Sequence, residues 1–226
     1  MKLAALISGG KDSILALYQM HKAGHEIKYL LAMEPETDES YMFHHPNIWV
    51  SELISESLKI PLIKGTTHGR KEEELTDLKL ILQKVADDVD GVVSGALASS
   101  YQKQRIDGLC SELSIESLAP LWGIDPAELW QELFENNFEV MITAVAAEGL
   151  SEKWLGRIVD ENNYPELVQL SRKHRFHLGF EGGEAETLVL DMPLYNEKIA
   201  VKKGSSTWDG SSGSYQIDEA VLERKL

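Results

Sequence analysis

Residues 3–33 read LAALISGGKDSILALYQMHKAGHEIKYLLAM, and their apolar pattern indicates the fold class of the first domain. Leu3–Ile7 is a short apolar run, which is typical of a strand buried on both faces. The spacing of apolar residues then predicts a helix from Asp12 to Lys22, and Ile27–Met33 predicts a second strand. A strand, a helix and a strand within about 30 residues form a βαβ unit, which favours a parallel sheet.

The alternation continues to about residue 120 and predicts a three-layer α/β fold with a parallel sheet of five strands. Further strands are predicted at Pro61–Gly65, Gly91–Val93 and Ile115–Pro120. Further helices are predicted at Ile48–Leu58, Glu72–Ala86 and Ala98–Leu113, and Glu34–Pro46 predicts a polar, irregular connection. We expect this domain to span residues 1–121.

The remaining residues, 122–226, predict a smaller α+β domain. Helices are predicted at Asp125–Asn136 and Tyr164–His174, with a short helix or turn at Ser151–Trp154. Strands are predicted at Phe138–Ala146, Thr187–Met192 and Lys198–Val201. Gly204–Ser214 is rich in glycine and serine and predicts a loop.

Composition and charge exclude several classes of protein. Lys and Arg number 22 and Asp and Glu 37, a formal charge of −15 that argues against broad, non-specific nucleic-acid binding. No apolar run approaches the roughly 20 residues of a membrane span. The single cysteine, Cys110, excludes an internal disulfide and a cysteine-based zinc cluster. Because the start also lacks a signal-peptide pattern, we expect a cytoplasmic protein.

The turn between the first strand and the first helix is a candidate phosphate site. It consists of Ser8, Gly9, Gly10, Lys11, Asp12 and Ser13. Its glycines allow a tight turn and close approach to a ligand, and a helix start presents N–H groups to an anion. Lys11 adds positive charge and the serines add hydroxyl donors. Asp12 would repel a phosphate unless Mg²⁺ bridges the two, which makes Asp12 a candidate magnesium ligand.

A second candidate stretch follows the strand predicted at Gly91–Val93. In a parallel sheet the carboxyl ends of the strands share one edge, so Ser94 and Gly95 should face the same crevice as the first motif. Tyr101, Gln102 and Arg105 lie on the helix that follows. The alternative is that this helix only packs on the sheet and that Arg105 is solvated.

A third stretch combines glycines with carboxylates. It consists of Glu181, Gly182, Gly183, Glu184, Ala185, Glu186 and Thr187. Like charges so close together repel, so a positive group is expected among them: Mg²⁺, a substrate cation or an arginine. The alternative is an acidic turn exposed to water.

The motifs carry a resemblance to a known family. SGGKDS at residues 8–13 resembles the PP-loop of the N-type ATP pyrophosphatases, which cleave ATP between the α and β phosphates. SGALASSYQKQR at 94–105, PLW at 120–122 and EGGEAETLVLDMPL at 181–194 extend this to a resemblance to the diphthine–ammonia ligase family. The resemblance runs from residue 1 to about residue 195, with one departure at Ala185, where an aromatic residue is expected.

The resemblance implies a fold, a reaction and a set of site residues. The first domain would be a PP-loop adenine-nucleotide-binding domain, and ATP and Mg²⁺ would be the cofactors. The substrate would be translation elongation factor 2 carrying diphthine, amidated with ammonium through an acyl-adenylate. Lys11, Asp12, Glu181, Glu184 and Glu186 would be catalytic. The three glutamates would act on the acceptor side, where they would bind the trimethylammonium group of diphthine, bind ammonium, or serve as the base that deprotonates it. The nucleotide would contact Ser8, Gly9, Gly10, Lys11, Asp12, Ser13, Met33, Ser94, Gly95 and Arg105. The substrate would contact Tyr101, Gln102, Gly182, Gly183 and Thr187.

Two other functional hypotheses are compatible with the sequence. One is a PP-loop enzyme acting on tRNA, such as a thiolase or a lysidine-type ligase, which the charge of −15 and the lone cysteine disfavour. The other is a non-catalytic adenine-nucleotide sensor, which the Lys11-Asp12 pair disfavours. His68 follows a predicted strand and is a further candidate for lining the crevice. The sequence leaves the oligomeric state open, with a homodimer as one option.

Overall fold

The computed structural model describes residues 1–35, 47–67 and 73–225. The connection predicted over Glu34–Pro46 lies outside these ranges from residue 36 onward, and so do His68 and Glu72. Within the described ranges, no helix has the length and apolar character needed to cross a membrane.

The chain divides into two compact units, and the second unit includes a short segment from the N-terminal part of the sequence. One is formed by residues 1–8 and 12–123, and the other by residues 9–11 and 124–226. The sequence predicts a boundary between residues 121 and 122, whereas the structure divides after Gly123. The N–H of Gly123 donates to the carbonyl of Leu97 at 2.8 Å, which ties this segment to the first unit.

The first unit is built on parallel strands with helices between them. Its strands are β1 (Lys2–Leu6), β2 (Glu26–Pro35), β3 (Leu62–Thr67), β4 (Gly91–Val93) and β5 (Glu116–Leu118). Its helices are α1 (Lys11–Lys22), α2 (Ser51–Leu58), α3 (Glu73–Gln83) and α4 (Ser100–Glu112). Within the residues described, the order is β3-β2-β1-β4-β5 and neighbouring strands are parallel. This confirms the predicted α/β fold with a five-stranded parallel sheet.

The central strand, β1, determines where the candidate site lies. Leu3–Ala5 is fully buried, and β1 is paired at both edges, by β2 on one side and β4 on the other. A strand in this position needs apolar residues on both faces, as the sequence of β1 provides. Ala5 pairs with Val93 of β4 in a parallel register. The segments that follow the two strands, at Ser8 and Ser94, therefore leave the sheet at the same edge.

The second unit combines an antiparallel sheet with two helices, α5 (Pro126–Glu135) and α6 (Tyr164–His174). Its strands are β6 (Glu139–Val145), β7 (Ile158–Val159), β8 (Ala185–Asp191), β9 (Glu197–Trp208) and β10 (Gly213–Arg224). Over the part of the chain that the structure describes, the order is β7-β6-β10-β9, and β8 also pairs with β6. The carboxylate of Asp125 accepts the N–H of Ala127 at 2.8 Å and begins α5. The predicted smaller α+β domain is confirmed.

The prediction of a loop over Gly204–Ser214 is wrong. β9 and β10 pair along their length, and only residues 209–212 form the turn between them. The carboxylate of Asp209 accepts the N–H groups of Ser211 and Ser212 at 2.8 and 2.7 Å. Hydrogen bonds from Ser212 and Ser211 hold the pKa of Asp209 well below its usual range. The side chains of these strands are mostly small and polar, so the sequence lacks the apolar alternation that predicts a strand. The strands are defined instead by the pairing of their backbones.

Candidate active site

The SGGKDS turn is closed by its two serines. The N–H of Ser8 donates to the Oγ of Ser13 at 3.2 Å, and the two hydroxyl oxygens lie 3.4 Å apart. Gly9 has a φ of +83°, a left-handed conformation that favours glycine. Since α1 begins at Lys11, the turn leads directly into the first N–H groups of a helix. This local geometry suits the binding of an anion such as a phosphate.

Gly95, two residues after β4, packs against the start of α1. A Cβ atom at Gly95 would lie 2.5 Å from the backbone nitrogen of Ser13 and 2.6 Å from the carbonyl carbon of Asp12. Only glycine therefore allows this approach. The preceding residue, Ser94, is buried, and its N–H donates to the carbonyl of Leu118 at 2.9 Å. The structure thus brings the second motif to the first, while their contacts with a nucleotide stay a prediction.

The predicted ligands on α4 form a stacked pair. The hydroxyl of Ser99 accepts the N–H of Gln102 at 3.4 Å and begins the helix. The guanidinium carbon of Arg105 lies 3.4 Å from the ring centroid of Tyr101, a close cation–π contact. Arg105 is therefore half-buried against its own helix rather than fully solvated. The roles of these side chains toward substrate or nucleotide stay predictions.

The middle of the SGGKDS turn is attached to β8, and both belong to the second unit. The N–H of Lys11 donates to the Oγ1 of Thr187 at 3.1 Å. The carbonyl of Gly9 accepts the N–H of Val189 at 2.9 Å. The structure therefore brings the first motif and the third motif together through backbone groups of the turn. Thr187, predicted from the sequence to contact substrate, has a direct contact with the turn itself.

The side chain of Lys11 is buried, with only 1% of its surface exposed. Its Nζ donates to the carbonyl of Gly179 at 2.7 Å and lies 5.3 Å from the ring centroid of Phe180. A buried ammonium group needs hydrogen bonds or a favourable ring face to offset the loss of water. Gly179 and Phe180 supply both kinds of contact.

Phe180 adopts an unusual backbone conformation, with a φ of +64°. A bulky residue in this left-handed region costs about 1 kcal/mol or more and persists only where its surroundings hold it. The indole N–H of Trp130 on α5 donates to the carbonyl of Leu178 at 2.9 Å, and the two aromatic rings pack edge to face at 6.0 Å. Sequence reasoning missed both aromatic residues. The one available sign was an aromatic residue set between glycines at positions 179 and 182.

Glu184 shapes the acidic glycine-rich loop from within. Its Oε1 accepts the N–H of His177 at 2.9 Å, and its Oε2 accepts the N–H of Gly182 at 2.7 Å. Its own carbonyl accepts the N–H groups of Ala146 and Ala147 at 2.8 and 3.1 Å. Both carboxylate oxygens thus bind backbone amides, which favours a role in holding the loop.

The other residues predicted in this loop are distributed along it. Glu181 is half-buried before the two glycines. Gly182 and Gly183 are exposed, and Gly183 has a φ of +78° that favours glycine. Glu186 lies in β8, where it pairs with Ala144 of β6.

Met33, predicted to lie near the adenine, is a core residue in the structure. It ends the apolar part of β2 and is only 3% exposed. Its Sδ packs on Gly65 of β3, where a Cβ would come within 2.9 Å of it and within 2.5 Å of Ile81. The side chain therefore fills the space between the sheet and α3.

Two family models together match most of the chain. The model described as the diphthamide synthase N-terminal domain matches residues 1–117, and the model described as the diphthamide synthase C-terminal domain matches residues 125–222. The chain belongs to the diphthamide synthase family.

Curated relatives in this family are named diphthine–ammonia ligases. The human protein is 36% identical over 222 residues, a match that covers 89% of this chain and 83% of the relative. The rat protein is 37% identical with the same coverage of both chains. The protein of Saccharomyces cerevisiae is 33% identical over 230 residues, and the match covers 86% of this chain but only 33% of that longer relative. These names confirm the predicted enzyme class, a ligase that forms an amide bond.

Proposed function

We propose that this chain converts diphthine on translation elongation factor 2 to diphthamide, with ATP and ammonium as co-substrates. The observation that carries the proposal is the SGGKDS turn, closed by its serines and fastened to β8, in a chain whose relatives are diphthine–ammonia ligases. ATP would bind at this turn, and its α-phosphorus would accept the diphthine carboxylate. The products would be an acyl-adenylate and pyrophosphate, after which ammonia would displace AMP.

Adenylation explains why such a reaction needs ATP. A carboxylate is a poor acceptor for ammonia, because its oxygen is a poor leaving group, whereas AMP leaves readily. The pyrophosphate that departs in the first step gathers negative charge, which preorganised donors must stabilise. The N–H groups at the start of α1 and the ammonium of Lys11 are suited to that task, since they are fixed before the ligand arrives.

Magnesium fits the chemistry of Asp12. Within residues 1–35, 47–67 and 73–225, no group of three or more His, Cys, Asp or Glu side chains is placed to hold a metal ion. Mg²⁺ commonly uses one or two carboxylates and completes its shell with substrate phosphates and water. Asp12, in the first turn of α1, is such a carboxylate. When bound, the ion would neutralise phosphate charge.

Free ammonium is the simplest nitrogen donor. Many amidotransferases hydrolyse glutamine with a nucleophilic cysteine, and Cys110 is the single cysteine of the chain. It is buried within α4, and burial raises the pKa of its thiol to about 11. A thiol of that pKa is overwhelmingly protonated at neutral pH and is a poor nucleophile.

Glu184→Gln is expected to lower turnover about 10- to 30-fold and to change ATP affinity far less. Glutamine has one side-chain oxygen, so its NH₂ group would face a backbone N–H that the carboxylate now accepts. Steady-state kinetics together with calorimetric ATP binding would check this. Glu161→Gln, at an exposed position, is the matched control and should leave both quantities unchanged. An equal loss of turnover and ATP affinity would contradict an acceptor-side role for this loop.

Reconstitution tests the proposed function directly. The purified chain would be incubated with ATP, Mg²⁺, ammonium and elongation factor 2 carrying diphthine, while AMP, pyrophosphate and the mass of the modified histidine peptide are followed. Conversion of acid to amide, in step with AMP and dependent on ammonium, is the expected result. AMP and pyrophosphate without amide would point to another acceptor, with tRNA the first to test. Bound but uncleaved ATP would indicate a nucleotide sensor instead.

A further inference from the structure

Lys11 is held in place by residues that lie far from it in the sequence. We propose that Phe180 is a positioning residue that acts through Lys11, setting where the ammonium charge lies relative to the departing pyrophosphate. The effect of Phe180 on catalysis rests on the proposed function, whereas the position of the Lys11 ammonium beside the Phe180 ring does not.

The contacts of the ammonium define its position. The carbonyl of Gly179 accepts one of its N–H groups at 2.7 Å. The ring of Phe180, with its centroid 5.3 Å away, offers the negative face of its quadrupole to the same charge. The backbone N–H of Lys11 donates to Thr187, so the backbone and the ammonium group of this residue both have hydrogen-bond partners. A lysine on a flexible four-carbon stem would otherwise sample many positions.

The backbone at Phe180 indicates that the ring is required there. A left-handed residue between Gly179 and Gly182 would be least strained as glycine, yet the chain places a buried phenylalanine at a φ of +64°. Its N–H donates to the carbonyl of His177 at 2.9 Å. The indole of Trp130 fixes the neighbouring carbonyl of Leu178. The segment that holds Lys11 is therefore anchored to α5.

Phe180→Leu tests the proposal, since leucine keeps an apolar side chain and removes the ring face. The rate of AMP formation at saturating ATP is expected to fall about tenfold, with a smaller change in the KM for ATP. In a Lys11→Met background, measured with radiolabelled ATP, the same change should have an effect of less than about twofold. Equal losses in both backgrounds would overturn the proposal, because Phe180 would then act through the fold and not through Lys11.

Phe176→Leu is the matched control. Phe176 lies on the same segment, with its ring 6.4 Å from that of Phe180, and is not part of the proposed site. Its replacement should change the rate by less than about twofold. A loss as large as that of Phe180→Leu would overturn the proposal in favour of a general loosening of the segment.

A spectroscopic measurement separates this inference from the proposed function. With ¹³C at the lysine ε position, the Lys11 methylene protons should resonate upfield of the other lysines in the nucleotide-free chain, because the ammonium group they adjoin lies over the face of the Phe180 ring, where the ring current shields protons. Phe180→Leu should return them toward the position of exposed lysines, whereas Phe176→Leu should not. An unshifted wild-type resonance would overturn the placement. Failure to form diphthamide, with this shift intact, would overturn only the proposed function.

Discussion

Lys11→Met is expected to lower the rate of ATP-dependent AMP formation about 100- to 1000-fold. Removal of one preorganised donor to a developing negative charge has an effect of this size in other enzymes. Methionine keeps the length and apolar stem of the side chain, so the loss reports on the charge. The change also leaves the buried carbonyl of Gly179 without its donor at 2.7 Å, which should cost about 1 kcal/mol of stability. Single-turnover assays and urea unfolding measure the two effects separately.

Lys22→Met is the control for this experiment. Lys22 ends the same helix as Lys11, but its side chain is exposed and lies 5.6 Å from the ring centroid of Tyr18. Its replacement should change stability by less than about 0.5 kcal/mol and leave the rate unchanged. If Lys11→Met formed AMP as fast as Lys22→Met, the Lys11 ammonium would serve only to bind the carbonyl of Gly179.

Much of the fold could be predicted because local pattern and burial agree. The apolar run of β1 is central in its sheet, and the N-cap of α5 at Asp125 has the side-chain hydrogen bond its residue type favours. The hairpin over Gly204–Ser214 could not be predicted from apolar alternation, because its small polar side chains show none and the strands are defined by their backbone pairing with each other across a short turn. A prediction of secondary structure from residue types fails where backbone pairing or tertiary contacts outweigh the local preference of the residues.

Some features of the candidate site could be predicted from the sequence, and others depend on contacts between distant residues. Parallel topology places Gly95 beside the start of α1, which an argument from sheet edges anticipates. The contacts of Lys11 with Gly179 and Phe180 span about 170 positions in the chain, so no local pattern predicts them. Met33 ends the apolar part of its strand, as the sequence indicates, and its side chain packs into the core beside Gly65. Its proximity to the adenine stays a prediction.

Gly95→Ala is expected to lower AMP formation at least about 100-fold and to destabilise the chain by about 1–3 kcal/mol. The added methyl carbon would meet three backbone atoms of Asp12 and Ser13, at 2.5, 2.6 and 2.8 Å. Backbone atoms cannot swing aside as the end of a flexible side chain can, so the start of α1 must move. A shift of about an ångström in a positioning element is enough for a loss of this size. Calorimetric ATP binding, AMP formation and urea unfolding would measure the outcome.

Gly108→Ala separates this clash from the general effect of adding a methyl group. Gly108 lies inside α4, and a Cβ there would meet no atom within 4 Å. Alanine should therefore stabilise the helix by about 0.5–1 kcal/mol and leave AMP formation unchanged. If Gly95→Ala lowers stability while Gly108→Ala raises it, the loss at Gly95 comes from the clash with the start of α1 and not from the added methyl group as such. If Gly95→Ala bound and cleaved ATP as well as Gly108→Ala, the close approach after β4 would play no part in the nucleotide site.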